Sequence, residues 1–124
     1  MRRSSRVNSI FRALTWCCVF TLAFLSLLPA EEMVRTGVGQ RIEHFVAYAG
    51  SAGIAMIGYG QRSRSPWVIF GSFCAYAGVL EFLQHFSPGR SPALADFVAS
   101  AMGAFVGMLV ILLLRLRYAI MSPR

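Results

Sequence analysis

Residues 93–114 read ALADFVASAMGAFVGMLVILLL: an acid near the start, then 18 uncharged residues from Phe97 to Leu114. The hydrocarbon core of a bilayer takes about 20 residues of α-helix. This run therefore reaches spanning length only by drawing Asp96 to the edge of the apolar layer. Two other stretches repeat the pattern. Phe45 to Gly60 gives 16 uncharged residues directly after Glu43 and His44, and Pro66 to Leu80 gives 15 directly before Glu81, Gln84 and His85. A charged side chain at the bilayer centre costs at least ~2.5 kcal/mol, and less towards the interface. Three stretches that carry this cost at one common depth point to a built polar site.

The rest of the composition agrees with a membrane chain. Of 124 residues, 56% are hydrophobic, and the mean hydropathy is +0.60. A fourth apolar run, Ala13 to Ala30, follows an Arg-rich start. It is long for a leader, and Leu28 and Pro29 make a poor cleavage site, so a retained helix is expected. The expectation is an all-α, polytopic membrane protein, an antiparallel bundle of four transmembrane helices. Its parts are an N-terminal arm over 1–10, a transmembrane domain over 11–114 and a tail over 115–124. The helices are expected near Phe11 to Leu28, Ile42 to Gly60, Pro66 to Phe86 and Ala93 to Leu114, with Pro29, Pro66 and Pro88 as punctuation.

The net charge is +7 and the isoelectric point about 10.4, values that invite a nucleic-acid reading. Position argues against it. All 12 basic residues are Arg, and nine lie before the first run, between the second and third, or after the fourth. The other connections hold Arg35, Arg41 and Arg90, partly offset by Glu31 and Glu32. The positive-inside rule then explains the charge. The expected location is the cytoplasmic membrane, multi-pass, with both termini cytoplasmic, the bilayer as partner and no nucleic acid. Trp16, Trp67 and Tyr118 are candidate interface anchors. Cys17, Cys18 and Cys74 lie inside apolar runs without disulfide or metal spacing, and no cofactor is expected.

With short loops, sequential helices run antiparallel. The start of helix two, the end of helix three and the start of helix four then meet at the external face. On helix two, His44 and Tyr48 share a face. On helix three, Glu81, Gln84 and His85 fall at i, i+3 and i+4. On helix four, Asp96 heads a stripe through Ser100, Gly103 and Gly107. Arg90 lies in the connecting loop. Glu81, Arg90 and Asp96 are expected to form one network that His44 also reaches. Each also has a purely structural role open to it: His44, Glu81 and Arg90 as one another's partners, Asp96 as a first-turn acid. Gly103-x-x-x-Gly107 lets backbones approach closely. Packing inside the bundle is expected of it, with an oligomer interface as the alternative.

The polar motifs resemble a known family. His44-Phe45-Val46-Ala47-Tyr48 resembles the H-F-x-x-Y of VanZ-like membrane proteins. The stretch from Glu81 to Arg90 resembles their E-x-x-Q-x-F-x-P-x-R, and Asp96 to Gly103 their D-x-x-x-N-x-x-G. Gln40 and Arg41 stand where the family often has Asp-Lys, and Ser100 stands for the Asn. The resemblance implies a bacterial inner-membrane protein of the cell envelope. The named member of the family is associated with resistance to the glycopeptide teicoplanin.

Two function classes follow. In the first, the outer polar cluster binds a lipid headgroup, a cell-wall precursor or a glycopeptide-type drug, through His44, Tyr48, Glu81, Gln84, Arg90 and Asp96. In the second, the protein is a small membrane hydrolase or transferase, with His44, Glu81, His85 and Asp96 as candidate ligands of a divalent metal. No dense catalytic signature such as H-E-x-x-H accompanies them, and the residues do not decide whether a reaction is catalysed.

Overall fold

A computed structural model describes residues 2–33, 36–60 and 65–121. Four α-helices dominate it: α1 (Arg2–Leu27), α2 (Gln40–Tyr59), α3 (Pro66–Leu83) and α4 (Leu94–Met121). Single 3-10 turns follow α1 (Ala30–Glu32) and α3 (Gln84–Phe86). No strand occurs among the described residues.

The outer two helices exceed their apolar runs. α1 begins within the segment read as an arm, and α4 continues well past Leu114. Neither extension contains Gly or Pro, and Arg is a good helix former, so nothing stops the helix where hydrophobicity stops. α3 starts on a conventional signal: Pro66 at the first position and the Ser65 hydroxyl accepting from the Trp67 backbone N–H at 3.2 Å.

Three helices are long and apolar enough to cross a membrane: Ser5–Leu27 in α1, Pro66–Phe86 in α3 with its 3-10 turn, and Leu94–Met121 in α4. α2 is not among them. Its first turn carries Gln40, Arg41 and Glu43, and much of the remainder is Gly, Ala and Ser. It is instead enclosed by the rest of the bundle. Tyr48, Ser51, Ala52, Ala55, Met56 and Gly58 are all buried.

Contacts fix the directions. Arg12 of α1 meets Gly58 of α2, while Leu22 and Leu25 lie across a cavity from His44 and Tyr48. α1 and α2 are therefore antiparallel. Trp67 and Phe70 of α3 stack with Phe105 of α4, and Gly78 faces Phe97, so α3 and α4 are antiparallel too. α2 and α4 run parallel in fixed register. A Cβ on Gly103 would overlap the Phe45 carbonyl, and one on Gly107 the Ala49 carbonyl. The seam stays narrow because Ser51, Ala52, Ser100 and Ala104, also buried here, are small. The serine hydroxyls bond their own helices, Ser51 to the Ala47 carbonyl at 2.7 Å and Ser100 to the Asp96 carbonyl at 2.9 Å.

At the far end of α2, two arginines satisfy its terminal carbonyls. Arg12 Nε donates to Gly58 at 2.9 Å, and Arg115 donates to Met56 at 2.5 Å. The Arg12 guanidinium also lies 5.1 Å from the centre of the Tyr59 ring. Cations at a helix C-terminus complement its dipole. Arg115→Leu should therefore destabilise the bundle by about 1.5–3 kcal/mol, the worth of a hydrogen bond to a charged group. Exposed Arg117→Leu should change little. Thermal unfolding of the two variants in detergent measures the difference.

Candidate functional site

At the end of the bundle where α2 and α4 begin and α3 finishes, three ionisable side chains converge. His44 comes from the second turn of α2, Glu81 from the last turn of α3 and Asp96 from the first turn of α4. One donor atom from each lies within 4.8 Å of the others. Their side chains keep 17%, 14% and 8% of their exposure respectively. The parallel register of α2 and α4 brings two helix N-termini to this level, and their dipoles favour acids there. Glu81 lies instead near a helix C-terminus, where the dipole gives it no help.

The polar groups are incompletely satisfied by the protein. Glu81 Oε2 accepts the Ala93 backbone N–H at 3.3 Å. Its Oε1 stands 3.9 Å from His44 Nε2, beyond hydrogen-bond length. Among the described residues, His44 Nε2 is the buried side-chain polar atom with no hydrogen bond. Asp96 is better held. Its Oδ2 accepts from the Gln40 amide at 2.6 Å, and Arg41 Nε lies 4.0 Å from Oδ1. The Arg41 side chain is 73% exposed, so that pair is screened and weak. A shielded acid costs several kcal/mol unless bonds and charges offset it. Two such acids and an unbonded imidazole nitrogen at one point leave that cost partly uncompensated.

Beside the cluster lies a cavity of about 120 Å³, lined by His44, Tyr48, Gln40, Glu43, Arg90 and Ser26, with Leu22, Leu25, Leu28, Met33 and Ala47. Arg90 donates to the Ser26 carbonyl at 3.1 Å and also contacts the Met33 sulfur. It thereby ties the loop after α3 to the end of α1. Gln84 is buried and donates to the Ser26 hydroxyl at 2.8 Å. Ser87 bonds the Leu27 carbonyl at 3.0 Å. Tyr48 is buried, its ring edge-on to Phe73 at 6.2 Å.

The structure thus gathers His44, Glu81 and Asp96 within 4.8 Å of one another, with His44 Nε2 unbonded, and puts Tyr48 and Arg90 on the adjoining cavity. His85 is not brought in. α3 gives way to a 3-10 turn at Gln84, which turns by about 120° per residue instead of 100°. That carries His85 off the Glu81 face to an exposed position, with Nδ1 2.9 Å from the Phe82 carbonyl. Gln84 likewise faces α1 rather than the cluster. Gln40 and Ser26 were not anticipated. Gln40 had a legible signal, since it precedes His44 by four residues on one helical face. Ser26 had none, because its role depends on how α1 packs.

Gly103 and Gly107 both serve the α2–α4 seam that sets the distance between His44 and Asp96. Cys17, Cys18 and Cys74 are free thiols and lie outside the cluster. No protein-family model matches this chain, and neither a curated protein nor a solved structure matches it.

Proposed function

We propose that this is a VanZ-like integral membrane protein of the cell envelope that holds an amphiphilic ligand by its polar head. The carrying observation is a pairing of spaces. The cavity of about 120 Å³ is lined by Arg90, Gln40, Glu43 and His44. An apolar groove of about 620 Å³ lies between α1, α2 and α3, lined by Trp16, Val19, Ile69, Phe73 and Tyr76 among others. Tyr48 lines the first space and touches Phe73, which lines the second. A headgroup in the polar space and an acyl chain in the groove suit a lipid or a lipid-linked cell-wall precursor, with Arg90 the fork for a phosphate or carboxylate.

In this reading α2 is the fourth spanning helix. It tolerates low hydropathy because α1 and α4 shield it. Both termini are cytoplasmic, and the polar end faces outwards in accord with the Arg distribution. The ligand classes implied by the resemblance include the glycopeptide-type drugs.

Native mass spectrometry of the protein released from nanodiscs of total cellular lipid tests the reading. Wild type should retain a phosphorylated amphiphile, and Arg90→Ala should lose most of it. Equal retention by both, or none by wild type, contradicts the proposal.

A further inference from the structure

We propose that His44, Glu81 and Asp96 form a binding site for one divalent transition-metal cation, of the zinc or manganese class. Each of three helices supplies one donor, and the three donor atoms lie within 4.8 Å of one another. Ligand atoms around a tetrahedral ion at 2.0–2.2 Å stand roughly 3.4 Å apart. About an ångström of side-chain adjustment closes that gap without moving a helix. His44 Nε2 is buried without a hydrogen-bond partner, which leaves its lone pair available in one tautomer. The two carboxylates receive a single backbone N–H, one amide, an exposed, distant guanidinium and, at Glu81, the charge of Arg90 without a hydrogen bond from it. A divalent ion supplies what that arrangement lacks: it neutralises both acids and takes up the imidazole lone pair.

The donor chemistry narrows the ion. One imidazole and two carboxylates suit zinc or manganese better than calcium or magnesium, which take oxygen alone, and the absence of thiolate disfavours copper(I). The Gln40 amide on Asp96 orients a ligating carboxylate, as groups behind metal ligands commonly do. Three protein donors are the number found where a metal keeps a position for an outside ligand. The site stands without the amphiphile reading. If both hold, a headgroup oxygen completes the coordination.

The test uses full-length, untagged protein in detergent, stripped by chelator and passed through gel filtration. It is loaded in turn with zinc, manganese or cobalt. Wild type should retain about one ion per chain, and its cobalt form should show the absorption of a low-coordinate site. His44→Ala, Glu81→Gln and Asp96→Asn should each weaken retention by more than about tenfold, the least that loss of even an outer partner costs. His85→Ala should bind like wild type. Circular dichroism confirms that each variant is folded, and Glu81→Gln, the most conservative, carries the argument if another fails. Folded wild type that retains no metal, or Glu81→Gln that retains it fully, overturns the site. Arg90→Ala should keep the metal while losing the amphiphile, so the two proposals fail separately.

Discussion

Gly103→Leu should abolish the fold. Its Cβ alone would overlap the Phe45 carbonyl and come within 2.9 Å of the carbonyl carbon. Those are backbone atoms of an adjoining helix, with no flexible end to move aside. Ala at this position should already cost about 1–3 kcal/mol, the usual penalty of overpacking. Leu adds three more carbons to a seam lined by Ala52, Ser100 and Ala104, all buried at 2% or less. α4 would have to leave α2, and the shared level of His44 and Asp96 would go with it. The expected result is little extractable protein and no cooperative thermal transition. Gly50→Leu is the control, since nothing lies within 4 Å of a Cβ there, and it should be tolerated. A stable Gly103→Leu protein would show that α2 and α4 do not meet as described.

Glu81→Gln should do the reverse, leaving the bundle and removing its function. The amide keeps the shape and can still accept the Ala93 N–H that Glu81 receives at 3.3 Å. It removes a charge from a shielded position with His44 Nε2 3.9 Å away. The stability change should be under about 1 kcal/mol, since one acceptor replaces another. Cells expressing the variant should show the sensitivity to glycopeptide-type envelope drugs of cells that lack the protein, whereas wild type should change it. If Glu81→Gln unfolds the protein and Gly103→Leu is silent, Glu81 is structural and the functional site lies elsewhere.

Much of this was legible in the sequence because lipid imposes simple bookkeeping. A long apolar run that must borrow Asp96 or Glu81 to reach spanning length declares both the helix and the end of it that carries the polar group. The spacing of Gly103 and Gly107 declares a close backbone contact, though not its partner. What the pattern could not carry was the local change of helix type at Gln84. Assigning His85 to the Glu81 face assumes 3.6 residues per turn to Phe86, and the α-helix stops at Leu83. Nor could hydropathy describe α2. Its small and polar residues weaken it as an isolated span, and they are also what lets α4 and α1 enclose it. Arg90 is expected beside Glu81 and Asp96; its charge does act on Glu81, and its hydrogen bonds to Ser26 and Met33 add a tie to α1. A loop side chain takes its direction from the packing of distant elements, and α1 is distant in sequence.

We propose that the His44, Glu81 and Asp96 end of the bundle faces the outside of the membrane. Ser91 is exposed on the loop beside Asp96. Ser63, outside the described residues, lies in the sequence between α2 and α3. With Cys17, Cys18 and Cys74 replaced, a single cysteine at each position can be probed with a membrane-impermeant thiol reagent on intact cells. The account predicts labelling of Ser91→Cys from outside, and of Ser63→Cys only after the membrane is opened. The opposite pattern, Ser63→Cys labelled on intact cells and Ser91→Cys protected, would contradict it.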